Sequence, residues 1–445
     1  MEPASTPIGG CSSRRSPLPR RGTTGYGPGM SDAASALPSA RALLREGDYL
    51  RFWASRWMGS LGSQIQSVTM GWQIYAISRH TLSVGASAFN VSLVGLVTFA
   101  PLFFLALPAG ETADRHDRRG VLLFCYAGEI ATVGVLSWAA FTGAATVPLL
   151  LGTALAFGAS RAFFSPAMTA LGPMMVPRAL LPRAIAWNSL AWQSASIAGP
   201  AIGGALVALS PGAAFATTLA LYIAAALALL SIRRSTQPQV QPGSRLELVK
   251  EGLNYVWTHK VVFGAISLDL AAVILGGATA LLPAFAKDVL HVGAQGFGIL
   301  RAGPALGATA VGLFLATHPI RRRAGLTMFA GVAIFGAATV VFGLSKLIWL
   351  SVIALAILGG ADALSVFVRQ TLVQLMTPDA MRGRVAAVST LFISASNELG
   401  EFESGLAARF LGAVGAVLFG GVGAMIVTGV WALGFPALRK ADRLE

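Results

Sequence analysis

Charge and cysteine are both scarce in this chain. Only 12% of its 445 residues are Asp, Glu, Lys or Arg, and only two, Cys11 and Cys125, are cysteine. Two cysteines, one in a tail and one in an apolar segment, form neither a disulfide framework nor a metal site. The sequence also lacks a phosphate-binding glycine-rich loop with a lysine, and it lacks a cluster of metal ligands. These absences argue against an enzyme, so no catalytic residue, cofactor or metal is expected.

Apolar and small residues dominate instead. The chain is 55% hydrophobic, contains 51 glycines and has a mean hydropathy of +0.67. A helix needs about 20 mostly apolar residues to cross the hydrocarbon core of a bilayer. The sequence therefore predicts an all-α integral membrane protein with twelve transmembrane helices. The predicted spans are 52–77, 84–109, 120–142, 147–171, 184–209, 213–232, 261–286, 295–317, 325–346, 348–375, 384–412 and 414–436.

The basic residues are distributed unevenly between the two sides of these spans. Of the 33 Lys and Arg residues, 25 lie in the terminal tails or in alternate loops, three lie in the opposite loops and five lie within spans. Positive residues favour the cytoplasmic side, so both termini are predicted to be cytoplasmic. The longest basic run is Arg321–Arg323. Such a short run gives no basic surface for nucleic acid, and the lipid bilayer is the expected partner.

A dense charge cluster, Gly110–Arg119, separates the second and third spans. Gly110 provides a small residue where two helices close up, and Asp114 and Asp117 are expected ahead of the next helix, at the positive end of its dipole. The basic residues that can pair with these acids and with lipid phosphates are Arg115, Arg118 and Arg119. A positively charged loop that only fixes membrane topology is the alternative interpretation.

The chain contains an internal repeat. Met175–Arg183 is matched by Met376–Arg384, 201 residues later, and the same offset relates Gly199 to Gly400. Matches on Pro, Gly and Arg are harder to obtain by chance than matches between apolar helices. The repeat predicts that the chain is built from two similar six-helix halves.

Five regions follow from this interpretation. Residues 246–257, within the linker, form an amphipathic stretch expected to lie along the cytoplasmic interface. The regions are a disordered cytoplasmic N-terminal tail (1–44), an N-terminal six-helix half (45–232), a cytoplasmic linker (233–260), a C-terminal six-helix half (261–436) and a cytoplasmic C-terminal tail (437–445).

Eight ionisable residues that fall well within the spans are the candidate functional groups. Each would cost roughly 2.5–3.5 kcal/mol at the centre of a lipid-facing helix, so eight of them exposed together would cost ~20 kcal/mol or more. They must face one another or water. Five are acids and three are arginines, which leaves about two acids as candidate proton carriers. The eight are Glu129, Arg161, Asp269, Arg301, Asp362, Arg369, Glu398 and Glu401.

Several pairings of these groups are open. Arg161 and Asp362 are repeat mates and can pair in one conformation and separate in another, or form a permanent tether. Asp362 and Arg369 share a helical face and can instead pair through an intermediate partner. Asp269 is interpreted as a coupling or substrate residue, with a hydrogen-bonded packing role as its alternative.

The remaining charged residues are interpreted from their expected depth in the membrane. Glu398 and Glu401 share a face and, with Arg301, are expected to form a network that closes the external side. A purely structural network is the alternative, and Glu129 is interpreted as a packing partner. Polar residues of the first two spans that are expected to line the substrate passage are Gln64, Gln73 and Asn90.

The fifth span contains a helix-bending motif made of Gly199, Pro200, Gly203 and Gly204. Proline bends a membrane helix, and the glycines let a neighbouring span approach closely. Small-residue packing alone is the alternative explanation.

Two of these motifs carry a family resemblance. Gly-x-x-x-Asp-Arg-x-x-Arg-Arg at Gly110–Arg119 resembles the signature loop of the major facilitator superfamily, which is held to control closure of the cytoplasmic face. Asp117 stands where many members have Gly, so the loop is expected to be less pliable. Gly-Pro-x-x-Gly-Gly in the fifth span resembles a motif of exporting antiporters, although Ala195 replaces an expected Gly.

The segments Pro283–Leu290 and Pro378–Arg384 extend the likeness to the subgroup of enterobactin exporters and transmembrane secretion effectors. The resemblance implies two halves related by a pseudo-twofold axis along the membrane normal. It also implies a monomeric, proton-driven exporter of a small molecule, siderophore-like or hydrophobic and drug-like, in the bacterial inner membrane. Its expected partners are that molecule and protons. An uptake permease and a transporter-fold sensor without transport are the alternatives.

Overall fold

The computed structural model describes residues 40–234, 236–237, 245–318, 320, 322–378 and 381–440, and most of these residues are helical. Between α9 and α11 the chain also forms the short turns Ala278–Leu281 and Phe285–Val289. The helices are α1 (Ala40–Leu44), α2 (Gly47–Ser78), α3 (Val84–Arg115), α4 (Arg118–Thr142), α5 (Val147–Leu171), α6 (Leu181–Leu209), α7 (Pro211–Leu230), α8 (Arg245–Thr258), α9 (Lys260–Leu275), α10 (Leu282–Ala284), α11 (Gly293–Thr317), α12 (Ala324–Leu344), α13 (Ile348–Met376), α14 (Arg382–Gly434) and α15 (Pro436–Arg439).

The described residues bear out an all-helical, membrane-spanning fold. Nine of their helices are long and apolar enough to cross a membrane. Helices α2 and α6 have 32 and 29 residues but are more polar. Helix α14 is broken at Gly412, whose φ of 73° is left-handed and suits a residue without a side chain. The arrangement of twelve spans in two halves stays a prediction.

The helices run back and forth between two ends of a bundle, because short connections join neighbouring helices antiparallel. We name the ends after residues next to their connections. The Arg79 end carries the connections 79–83, 143–146, 290–292 and 345–347. The Arg118 end carries the connections 116–117, 172–180 and 377–381. We call residues 40–237 the first part of the chain and residues 245–440 the second part.

Close glycine contacts join the two parts at the Arg79 end. A Cβ built on Gly204 of α6 would lie 2.8 Å from Cα of Gly298 in α11, and a Cβ on Gly85 of α3 would collide with the carbonyl oxygen of Ala408 in α14. Such contacts are possible only without a side chain, and they let helix backbones pack directly.

The predicted tails differ from the structure where it describes them. Residues 1–39 of the predicted N-terminal tail lie outside the described residues, but Ala40–Leu44 form α1, and Leu43 is fully buried. The predicted C-terminal tail likewise begins inside α15, where Leu438 is buried. In both places one buried leucine attaches the chain to the bundle. Residues 441–445 lie outside the described residues.

The charge cluster between the second and third predicted spans is mostly helical, contrary to expectation. Helix α3 continues through Arg115, so Gly110 lies buried within it and the turn is only two residues long. Glu111 and Arg115 form an ion pair of 2.7 Å one helical turn apart, which supports this polar extension. Asp114 therefore lies in the last turn of α3, not ahead of α4. Asp117 does cap α4, where its carboxylate accepts a hydrogen bond from the Gly120 amide.

Two arginines of this cluster contact backbone oxygens of other helices. The sequence had instead suggested that they can pair with the acids of the cluster. Arg118 donates to the carbonyl of Ala170 near the end of α5 (3.0 Å), and Arg119 donates to the carbonyls of Leu230 and Ile232 at the end of α7. The last carbonyls of a helix have no partner within it and carry partial negative charge, so cations bind there favourably. Both arginines thus tie helix ends together.

Candidate functional site

A cluster of charged side chains is buried between α9, α12 and α13. Nη2 of Arg369 lies 3.2 Å from Oδ2 of Asp269, and only 1% and 8% of these side chains are exposed. Asp362 and Ser365 line the same small cavity as Asp269. Residues 362, 365 and 369 repeat at three- and four-residue spacing, which places them on one face of α13.

This buried cluster contains two carboxylates and one guanidinium. None of the side-chain nitrogens of Arg369 makes a well-aligned hydrogen bond to a described residue, and the hydroxyl of Ser365 also has no partner there. Asp269 is the ion-pair partner of Arg369, and that Asp362 pairs with Arg369 through an intermediate partner stays a prediction. A cluster left incomplete in this way can take up a proton or another polar partner.

Arg161 lies away from this cluster. It is exposed on α5, with its guanidinium 5.8 Å from the centre of the Phe157 ring. No ion pair joins Arg161 to Asp362 among the described residues, so the permanent tether considered from the sequence is absent. The reason is that Asp362 faces α9 and α12, inside the second part of the chain.

A second polar cluster lies between the two parts. Nη1 of Arg301 is 3.9 Å from Oε1 of Glu401, and both side chains contact Thr279. Arg301 also reaches the hydroxyl of Ser67 on α2, at 3.5 Å. Ser67 is exposed although it lies well inside α2. We name this group the seam cluster, because it joins α11 and α14 to α2.

Glu398 lies beside the seam cluster. A Cβ built on Gly95 of α3 would lie 3.4 Å from a carboxylate oxygen of Glu398. The carboxylate is within electrostatic range of Arg161 and Arg301 and of the neighbouring Glu401. The structure thus brings Glu398, Glu401 and Arg301 together, and their role in closing one side stays a prediction.

A third polar group at the Arg79 end was not predicted from the sequence. Asp288 accepts a hydrogen bond from the hydroxyl of Tyr75 at 2.5 Å and pairs with Nη2 of Arg79 at 3.1 Å. The hydrogen bond that Arg79 donates to Asp288 raises the pKa of the Arg79 guanidinium above its usual value. Tyr75 and Arg79 belong to the first part and Asp288 to the second, so we name the group the end lock. A signal was present, because Arg79 is one of only three basic residues in the loops of that side.

The predicted lining residues mostly bond to neighbouring helices. Gln64 donates to Ser196 of α6 (3.1 Å), and Asn90 donates to Ser78 at the end of α2 (3.0 Å). Gln73 is buried, and its side-chain oxygen has no partner among the described residues. That these three side chains line a passage stays a prediction.

The Gly-Pro motif of α6 packs on two helices at once. A Cβ on Gly199 would lie 2.5 Å from Cβ of Gln64, and one on Gly203 would lie 3.2 Å from Cα of Ile65, both in α2. On the opposite side, Pro200 and Gly204 pack against Gly298 of α11. The motif therefore serves as a close contact both within the first part and between the two parts.

Comparisons with known proteins agree with a transporter. The family model described as transmembrane secretion effector, a branch of the major facilitator superfamily, matches residues 38–444. The enterobactin exporter EntS of Citrobacter koseri is 28% identical over 376 residues, covering 82% of this chain and 84% of its own. The multidrug efflux pump Tap of Mycobacterium bovis is 27% identical, covering 77% and 83%. A solved structure of a bacterial homologue of the human lysosomal transporter Spinster has a TM-score of 0.66 at 16% identity, covering 90% and 96%, which shows a shared fold.

Proposed function

We propose that this protein exports a small molecule in exchange for protons. The premise is that the chain belongs to the transmembrane secretion effector family of the major facilitator superfamily and is a membrane transporter, not an enzyme. The similarity to an enterobactin exporter and to a multidrug efflux pump supports export. The Gly-Pro motif of α6 supports the same direction. The cargo is then siderophore-like or hydrophobic and drug-like.

We propose that the protein crosses the bacterial inner membrane twelve times, as a monomer with both termini cytoplasmic. Helices α2 to α7 supply six segments. The segment from α9 to the Phe285–Val289 turn, helices α11 to α13, and the two arms of α14 on either side of Gly412 supply six more. The basic residues concentrate at the Arg118 end, which supports a cytoplasmic location for that end. The two halves are 45–232 and 261–436.

Alternating access in this proposal uses the passage between the halves. Between pairs of described residues, the hydrogen bonds and ion pairs that cross from one part to the other lie at the Arg79 end or near mid-depth. They are the end lock, the Arg301–Ser67 contact and a bond from Gln193 to α11. This distribution supports a state closed at the Arg79 end, from which cargo enters at the Arg118 end.

The observation that carries proton coupling is the buried cluster of Asp269, Asp362 and Arg369. One guanidinium cannot neutralise both the buried Asp269 and the half-buried Asp362, and a second poorly solvated negative charge is costly. A proton on one of the acids removes that cost. The number of protons held by the cluster then depends on its surroundings, which change when the halves move.

Transport by everted membrane vesicles tests the proposal with ethidium as the probe cargo and a pH-sensitive dye inside. Vesicles containing the protein are expected to accumulate ethidium when acid inside and to lose protons on ethidium addition. Asp362→Asn is expected to abolish both signals. It is a cleaner change than Asp269→Asn, which would leave the buried Arg369 without its ion-pair partner, a loss that destabilises strongly.

Glu403→Gln is the matched control, because it makes the same acid-to-amide change within a span but outside the three polar groups. It is expected to keep both signals. The same assay is repeated with a catecholate siderophore as the second probe cargo. Uptake into right-side-out vesicles would instead identify an import permease. Absence of proton movement with either probe, or full coupled transport by Asp362→Asn, would contradict the proposal.

A further inference from the structure

One buried carboxyl takes no part in the clusters described above. Glu129 of α4 is only 4% exposed. Among the described residues no hydrogen-bond donor contacts its carboxylate, and no cation lies within ion-pair distance. A carboxylate that is this poorly solvated and has no partner is unfavourable, which favours a bound proton or a nearby cation at Glu129.

Two tyrosine hydroxyls that interact electrostatically with Glu129 are already committed to other acceptors. Tyr126, one turn earlier on α4, donates to the backbone oxygen of Ser55 at 3.1 Å. Tyr222 of α7 donates to Oε1 of Gln66 at 2.9 Å. Both acceptors belong to α2. Neither hydroxyl therefore donates to Glu129, which weighs against a purely structural hydrogen-bonding role.

The cation within electrostatic range of Glu129 is Arg161 of α5. The helices pack so that the two residues are neighbours: a Cβ built on Gly128 would lie 3.0 Å from the hydroxyl of Ser160, the residue before Arg161. Arg161 is exposed, and an arginine in a span is tolerated where it faces water or other protein groups.

Arg161 also lies within range of Glu398, in the other half of the protein. The packing shows the route: Gly158, one turn before Arg161, lies against Thr98 of α3, and Gly95, one turn before Thr98, lies against Glu398 of α14. The guanidinium is thus placed between one carboxyl of its own half and one carboxyl across the seam.

We propose that Glu129 is a second proton-binding carboxyl of the transporter and that it competes with Glu398 for Arg161. The proposal rests on the proposed function, since it adds a coupling residue to proton-driven export. When Glu129 holds a proton, Arg161 is attracted across the seam to Glu398. When Glu129 gives its proton to water in the passage, its carboxylate draws Arg161 back, and the attraction between α5 and α14 is lost.

Other ionisable groups surround Glu129, Arg161 and Glu398, which together form the proposed switch, and these groups affect its pH dependence. On the Glu129 side they are Cys125 and Tyr126 of α4, Tyr222 of α7 and Arg56 of α2. On the Glu398 side they are Glu401 and Arg301.

The test measures the separation of the halves without any cargo. Spin labels replace the exposed Thr169 of α5 and Thr390 of α14, and the distance between them is measured by double electron–electron resonance in nanodiscs from pH 5 to pH 9. In the otherwise unchanged protein the mean distance is expected to shorten as the pH falls. Glu129→Gln, which mimics the protonated acid, is expected to fix the low-pH distance, and Glu129→Asp to restore the pH response.

Two further variants separate the switch from structural damage. Arg161→Gln alters an exposed residue and is expected to remove the pH response without misfolding. Glu403→Gln, the matched control, is expected to keep it. A Glu129→Gln protein that responds to pH as the parent does would overturn this inference alone. A parent protein whose distance is independent of pH would overturn proton coupling as well.

Discussion

The two ends of the helix bundle are held together in different ways. At the Arg79 end, contacts join the first part of the chain to the second: Arg79 pairs with Asp288, and Gly85 packs on Ala408. Two of these four residues are glycine or alanine, and the ion pair is partly exposed. Partly exposed ion pairs contribute about 0–1 kcal/mol, so the close helix packing at small residues contributes most to closing this end.

At the Arg118 end, the polar contacts between described residues join helices within one part. Arg119 binds the end of α7, and the hydroxyl of Tyr49 donates to the carbonyl of Ala184 in α6. In the second part, Tyr255 of α8 donates to the carbonyl of Met376 at the end of α13. The difference indicates that side chains at the Arg118 end connect helices within each part of the chain, whereas those at the Arg79 end hold the two parts against each other.

The largest effect on opening of the Arg79 end is expected from a side chain placed between Gly204 and Gly298. Gly204→Leu would collide with Gly298, and overpacking of this kind costs typically about 1–3 kcal/mol. The closed Arg79 end should therefore open in most molecules. Spin labels at the exposed Thr81 and Leu347 are expected to move apart. Gly312→Leu, in the same helix as Gly298 but with open space around it, is the control and should leave the distance unchanged.

A smaller shift is expected from the end lock. Asp288→Asn removes the charge that pairs with Arg79 and weakens the bond to Tyr75, at a cost of about 1 kcal/mol, or about a fivefold change in the open population. The distance between spin labels at Thr81 and Leu347 measures this change in the open population. Glu111→Gln, which breaks the exposed ion pair with Arg115, should produce no opening at this end. Equal shifts in the two variants would show that the ends do not differ.

The smallest effect on opening is expected at the Arg118 end. Arg119→Ala removes two hydrogen bonds to the end of α7 and should lower stability by about 0.5–1 kcal/mol, as for the loss of a favourable charge at a helix terminus. A thermal unfolding measurement in detergent should show the lower stability, while the Thr81–Leu347 distance stays the same. A longer Thr81–Leu347 distance without loss of stability would instead show that Arg119 helps to keep the Arg79 end closed.

The sequence predicted the helical, membrane-spanning fold because apolar runs report directly on burial in lipid. It was less informative where helices extend into water. Gly110 was expected at a turn, yet the pair Glu111–Arg115 keeps that region helical, since pairing one turn apart stabilises an exposed helix end. Local pattern shows where charges lie, but not how far a helix continues once it has left the apolar layer.

For the site, the sequence identified the charged residues but not their partners. It placed Asp362 and Arg369 on one helical face without showing that Arg369 pairs with Asp269, in a helix far away along the chain. The end lock was missed for the same reason, because Tyr75 and Asp288 meet only through the packing of α2 against the second part. Tertiary contacts between distant segments are set by backbone geometry, which one sequence does not reveal.

Reciprocal motion of the two ends is the central claim, and it is tested most directly by measuring both ends in one variant. In Gly204→Leu, the Thr81–Leu347 distance at the Arg79 end and the Thr169–Thr390 distance toward the Arg118 end are both determined by double electron–electron resonance. The first distance is expected to lengthen while the second shortens. If both lengthen, or if the second does not change, the halves do not rock about a central site and alternating access through this passage is contradicted.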